Sequence, residues 1–232
     1  MSAVKSEELR ARDAFLERLI GSRQCWAVIG DEGMARVPSP RDESRTVHLV
    51  WSDRREAERW AGALVTNPRM RMITLVEMTT EMLPKLADMR RRIGPDWTSE
   101  PIEAEFDPGD LDKALRRTLL DRVLRAADES RYLWVLRHVE GLACAPSRLS
   151  STGEMLPVWA DRASAEASAF GALAGAVPAR VSLADFTQRV LMWCVETRRR
   201  IAPGYIPGPG ALEMQPWEPK SAINGEIVDK VA

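Results

Sequence analysis

The chain has 232 residues, of which 45% are apolar and 29% charged, enough to bury one large core or two ordinary ones. Thirty-three Lys and Arg nearly cancel 34 Asp and Glu, for a net charge of −1, which argues against a dedicated nucleic-acid binder. No apolar run reaches about 18 residues, the N-terminus is too polar for a secretory signal, and three cysteines without C-x-x-C spacing suit a reducing compartment; a cytoplasmic protein is expected.

In chain order, residues 6–20 place Leu9, Phe15, Leu16 and Leu19 on one helical stripe, with acids in the first turn and Gly21 as a stop. QCWAVIG and GMARVP flank Asp31-Glu32-Gly33 as a hairpin, and TVHLVW alternates as a strand. Asp53 caps the next helix, which ends near Leu64, and RMRMIT is another strand. Thr74-x-x-Glu77 opens one more helix, and a last strand is expected after it.

The chain then repeats itself. VWSDRREAE at 50–58 returns as VWADRASAE at 158–166, a shift of 108. The same shift places Trp26 on Trp134, Gly33 on Gly141, Pro38-Ser39 on Pro146-Ser147, and RRRI at 90–93 on RRRI at 198–201. From Ser22 to Pro95 roughly 30% of positions are identical without a gap, too long a period for a solenoid, so each copy reads as its own domain. LDKALRRTLLDRVLRA at 111–126 opens the second copy, and Ser182-x-x-Asp185 repeats the helix start of Thr74-x-x-Glu77. The expected fold is α+β: two similar small domains, each a mostly antiparallel sheet packed by two or three helices. The boundaries read as 1–106, 107–218 and a flexible tail over 219–232.

These signals resemble the bacterial domain-of-unknown-function family 2750. Copy two carries the resemblance in LWVLRHVEG (133–141), MLPVWADRASAE (155–166), SLADF (182–186) and Pro216-Trp217. Copy one carries it in CWAVIGDEG (25–33), LVWSDRREAE (49–58), MLP (82–84) and IGPDW (93–97), and Met192 departs from the pattern where copy one has Pro84. The resemblance implies small domains of about a hundred residues and a bacterial origin, and no particular activity.

Little chemistry stands out. His48 and His138 fall at non-equivalent repeat positions and lie in no catalytic motif. Cys25 and Cys194 align with leucines, which favours packing, and Asp53 and Asp161 precede helices, which favours capping. Trp26, Trp51, Trp134 and Trp159 sit on strands and are expected in the cores. No phosphate-loop, dinucleotide or zinc-protease pattern occurs, so no cofactor, no metal and no enzymatic activity is expected.

The best functional lead is the pair of triplets Arg90-Arg91-Arg92 and Arg198-Arg199-Arg200, expected as a partner- or anion-binding site. The plain alternatives are that they complement a helix C-terminus or charge a sheet edge. The resulting expectation is a non-catalytic interaction protein, an immunity-type inhibitor or adaptor, whose partner is another protein. The competing expectation is a sensor that holds an anionic small molecule or nucleic acid on the triplets.

Overall fold

A computed structural model describes residues 3–98, 104–207 and 211–219. The chain forms two compact units that divide between Leu115 and Arg116. In the first, α1 (Ala3–Ser22) leads into β1 (Gln24–Gly30), β2 (Gly33–Met34), β3 (Arg36–Pro38) and β4 (Thr46–Val50). Then come α2 (Arg54–Leu64), β5 (Arg69–Thr74), α3 (Leu75–Glu77), a π turn (Met78–Met82), α4 (Leu83–Asp88) and β6 (Arg92–Pro95). The order then repeats: α5 (Pro108–Ser130), β7 (Tyr132–His138), β8 (Gly141–Leu142), β9 (Ala145–Pro146), β10 (Glu154–Val158), α6 (Arg162–Ala167), β11 (Val177–Ser182), α7 (Leu183–Asp185), a second π turn (Phe186–Val190), α8 (Leu191–Glu196) and β12 (Arg200–Pro203). The unit divide lies inside α5, further along the chain than residues 106/107. Residues 220–232 of the expected tail lie outside the described residues.

The architecture is α+β and mostly antiparallel. In unit one β1 pairs with β2 and β5, and β3 pairs with β4, all antiparallel, while β4 runs parallel to β6. Ala35 turns the corner between β2 and β3: its N–H donates to Val28 O at 2.8 Å, and its carbonyl accepts from Leu49 N at 3.2 Å. One strand thus changes partners at a bend, the usual way a sheet turns a corner. Trp26 and Trp51 close the junction by exchanging backbone bonds of 2.7 and 2.8 Å, and Trp134 and Trp159 repeat the exchange at 2.8 and 2.9 Å.

Side chains of β10 alternate between two apolar layers, as the period of two requires. Leu156 and Val158 join a core with Val123, Phe186 and Leu191, while Met155 and, just past the strand, Trp159 join a second core with Ala165 and Leu173. Trp51 and Trp159 are fully buried, and their indole N–H groups donate to Trp97 O and Tyr205 O at 3.0 and 2.8 Å. Burying an indole without such an acceptor would leave its one donor unsatisfied. Trp26 and Trp134 pack against the cores of their units as expected, but from the edge. They are half-buried, under the guanidinium groups of Arg54 and Arg180 at 5.3 and 5.1 Å.

The helix starts are as expected: Asp53 accepts from Arg55 N, Asp161 from Ser164 N, Thr74 from Glu77 N and Ser182 from Asp185 N. The first helix end is not. Gly21 lies inside α1, and Arg23 takes the left-handed conformation (φ 60°) that ends it, as Arg131 (φ 64°) does after α5. In both π turns a threonine bonds back to the preceding helical turn, Thr79 to Leu75 O at 3.1 Å and Thr187 to Leu183 O at 2.8 Å. Such back-bonding competes with the helical ladder where it widens.

Candidate functional site

The arginine triplets occupy a helix exit followed by a strand. After α4, Arg90 has φ 52°, its N–H donates to Ala87 O at 2.9 Å, and Arg91 N–H donates to Leu86 O at 2.9 Å. After α8, Arg198 has φ 54°, with matching bonds to Val195 O at 3.1 Å and from Arg199 to Cys194 O at 2.8 Å. This pair of bonds around one left-handed residue is the Schellman ending, with arginine where glycine is usual. The third arginine of each triplet opens β6 or β12. Those strands are not free edges: β6 bridges Phe106 on its far side, and β12 bridges Met214.

The third arginines face buried carboxylates. Arg92 Nε lies 3.4 Å from Glu105 Oε1, and Arg200 Nε lies 3.3 Å from Glu213 Oε2. Glu105 and Glu213 are only 2% and 5% exposed. Ser39 Oγ donates to Glu105 at 2.9 Å, and Ser147 Oγ donates to Glu213. Each serine oxygen also accepts two backbone N–H groups of its own loop, at 3.1–3.2 Å for Arg41 and Asp42, and at 3.1 and 2.8 Å for Leu149 and Ser150. One Glu therefore ties a loop, a strand start and the returning chain together. A charge taken out of water needs such partners, and among the described residues Glu105 Oε2 still lacks a hydrogen bond.

The middle arginines are also engaged. Arg91 Nη1 donates to His48 Nε2 at 2.9 Å. Guanidinium is donor-only, so that nitrogen is unprotonated and His48 carries its proton on Nδ1. Burial first, then Arg91 and Arg36, push the His48 pKa down from 6.5 to about 4. Arg199 pairs with Glu154 and lies 4.7 Å over the Trp193 ring. Only Arg90 and Arg198 of the six are exposed and, among the described residues, outside any ion pair.

Among the described residues no catalytic set assembles around these groups. His48 is buried and neutral at physiological pH, facing Arg91 and Arg36. Burial pushes the Cys25 and Cys194 thiols up to about 12 and raises Cys144 despite Arg199 beside it, so all three remain protonated and poorly nucleophilic. Among the described residues no group of three or more His, Cys, Asp or Glu could hold a metal ion, and no helix is long and apolar enough to cross a membrane.

Glu105 and Glu213 were outside the sequence expectation. The signal was present, because the shift of 108 that relates the copies also brings Glu105 onto Glu213, beyond the stretch that ends at Pro95.

Against known families, residues 12–115 and 120–222 each match the protein family of unknown function DUF2750. The chain belongs to this family. It holds two DUF2750 domains in tandem, which accounts for the paired Schellman exits and the paired buried glutamates. Among curated proteins none matches. Two solved structures are similar at low level. Anabaena Tic22, described as a protein-transport protein, is 12% identical over 92% of this chain and 96% of its own, with a TM-score of 0.28. Tic22 from Plasmodium falciparum is 10% identical over 81% and 90%, with a TM-score of 0.26.

Proposed function

We propose that this DUF2750 protein is a non-catalytic interaction protein, an immunity-type inhibitor or adaptor, that binds another protein. One observation supports the reading best: the repeated polar groups serve the fold, whereas the surface is where the copies part. Ser39, Arg92 and Glu105 recur as Ser147, Arg200 and Glu213 inside the units. On the surface, Met72 becomes Arg180, Glu81 becomes Arg189 and Lys85 becomes Trp193. Two like scaffolds with unlike faces suit recognition, because total contact area and bivalency rise without new folding.

Within this reading Arg90 and Arg198 are the contact residues of the triplets, since the other four guanidinium groups already have internal partners. The competing reading, an anionic ligand held on the triplets, would have to rest on the same two side chains. The test is isolation of the tagged full chain from its own cells under crosslinking. A stoichiometric partner is expected, and Arg90→Glu with Arg198→Glu weakens its capture at least tenfold. The absence of a stoichiometric partner across growth phases overturns the reading.

A further inference from the structure

The second unit has a cleft of about 480 Å³, well within the size range of small-molecule sites. Its walls come from β7, β8 and β11 on one side and from the α7–α8 segment with its π turn on the other. Leu142, Val181, Val190 and Trp193 contribute apolar surface, and all four pack against the buried core behind them. The apolar floor is therefore held by the core and does not depend on a loop.

The charges around the floor are lopsided. Arg137, Arg180 and Arg189 line the cleft with a single carboxylate, Asp185. Arg189 and Asp185 form an exposed i, i+4 pair at 3.8 Å, which is weak and readily rearranged. Arg137 and Arg180 have no ion pair among the described residues. Arg180 is nonetheless held in place, its guanidinium 5.1 Å from the Trp134 ring and 5.6 Å from Tyr132. A cation stacked on aromatic faces keeps its charge and loses rotamer freedom before any ligand arrives. Trp193 is similarly fixed under Arg199.

The first unit provides an internal contrast. At the same repeat positions it has Ile29, Met72 and Glu81 in place of Arg137, Arg180 and Arg189, and Lys85 in place of Trp193. Fold maintenance cannot require the three cations, since the same fold forms without them. Edge protection is an insufficient account too: on the equivalent strand β5, Arg71 is paired with Glu77, whereas Arg180 has no carboxylate partner among the described residues.

We propose that this cleft binds a small organic anion, its carboxylate or phosphate held by Arg137 and Arg180 and its ring-bearing apolar body lying on Trp193 and Val190. Guanidinium forks match either oxyanion through paired N–H donors, and the apolar floor rewards a flat hydrophobic body. The site belongs to unit two alone, so one ligand binds per chain. It does not depend on the protein partner proposed above.

The test is calorimetric titration of the full chain with 2-naphthyl phosphate, with inorganic phosphate and 2-naphthol as controls. One equivalent of 2-naphthyl phosphate is expected to bind, at least tenfold more tightly than either control. Arg137→Ile with Arg180→Met, which installs the residues of unit one, weakens it at least tenfold. Arg137→Gln with Arg180→Gln gives the same loss with the unfolding temperature kept, whereas Arg90→Gln with Arg198→Gln leaves binding unchanged. No binding by the wild-type chain, equal binding of inorganic phosphate, or full binding by both cleft variants overturns the proposal.

Discussion

In unit one Gly94 lies against Trp97; in unit two the same positions hold Ala202 and Tyr205. A Cβ on Gly94 would sit 2.5 Å from Trp97 Nε1 and 2.9 Å from Val47 Cγ1, closer than atoms tolerate. Ala202 is fully buried in its own unit, where the smaller Tyr205 meets Trp159 edge-on at 6.1 Å. Volume gained at Ala202 is thus offset by volume lost at Tyr205. Interiors are close-packed, so a gain at one position needs a loss beside it. The buried ion-paired positions do not trade in this way, whereas the buried His48 gives way to Leu156. The Ser–Glu–Arg node is kept letter for letter, because a buried carboxylate tolerates fewer solutions than a buried methyl group.

The largest effect should come from breaking that node. Glu213→Ala leaves the Arg200 guanidinium without its ion-pair partner and the Ser147 hydroxyl without its acceptor, and is expected to destabilise by about 3–5 kcal/mol in urea unfolding. The units should then differ when the arginine is removed. Arg41 lies 3.6 Å from Glu105 in addition to Arg92, so Arg92→Met should destabilise less than Arg200→Met. Equal losses would show that Arg41 does not share the load.

Next in size is the volume trade. Gly94→Ala should destabilise unit one by about 1–3 kcal/mol through overpacking. Adding Trp97→Tyr, which recreates the pairing of unit two, should restore part of that loss. A double variant no better than the single one would break the comparison between the cores.

His48 faces Leu156 across the repeat and offers a pH readout. Its folded-state pKa, about 4, lies below the ordinary 6.5. The stabilisation from keeping the ring neutral is therefore complete above about pH 6.5 and is lost as the pH falls toward 4. His48→Leu should flatten this dependence by on the order of 1–2 kcal/mol, allowing for partial solvation, in melts between pH 7 and 4. An unchanged slope would assign the acid sensitivity to other groups.

The smallest effect belongs to the helix exits. Arg90→Gly and Arg198→Gly should each stabilise by up to about 1 kcal/mol in thermal unfolding, because glycine adopts positive φ without steric penalty. If these arginines bind the partner, the same variants lose capture while gaining stability. That opposition separates recognition from folding.

The duplication, the order of elements and the caps at Asp53, Thr74, Asp161 and Ser182 were legible in the amino-acid sequence, since each depends on residues within a few positions or on plain repetition. The end of α1 was not. A left-handed exit usually announces itself with glycine, and here Gly21 stays helical while Arg23 makes the turn. The triplets were legible as a feature and not as a set of roles. A run of three arginines reads the same whether one faces solvent, one a histidine and one a buried carboxylate.

Sequence by itself therefore determined that two α+β domains follow one another, and where most of their helices begin, because capping and periodicity act over short chain distances. Tertiary structure decided which arginines are neutralised and which stay open. Arg92 meets Glu105 only once the chain returns beside β6, and Arg137, Arg180 and Arg189 converge only when β7, β11 and the π turn pack together. A charge is written in the sequence, but what it does depends on burial and partners, and folding sets both.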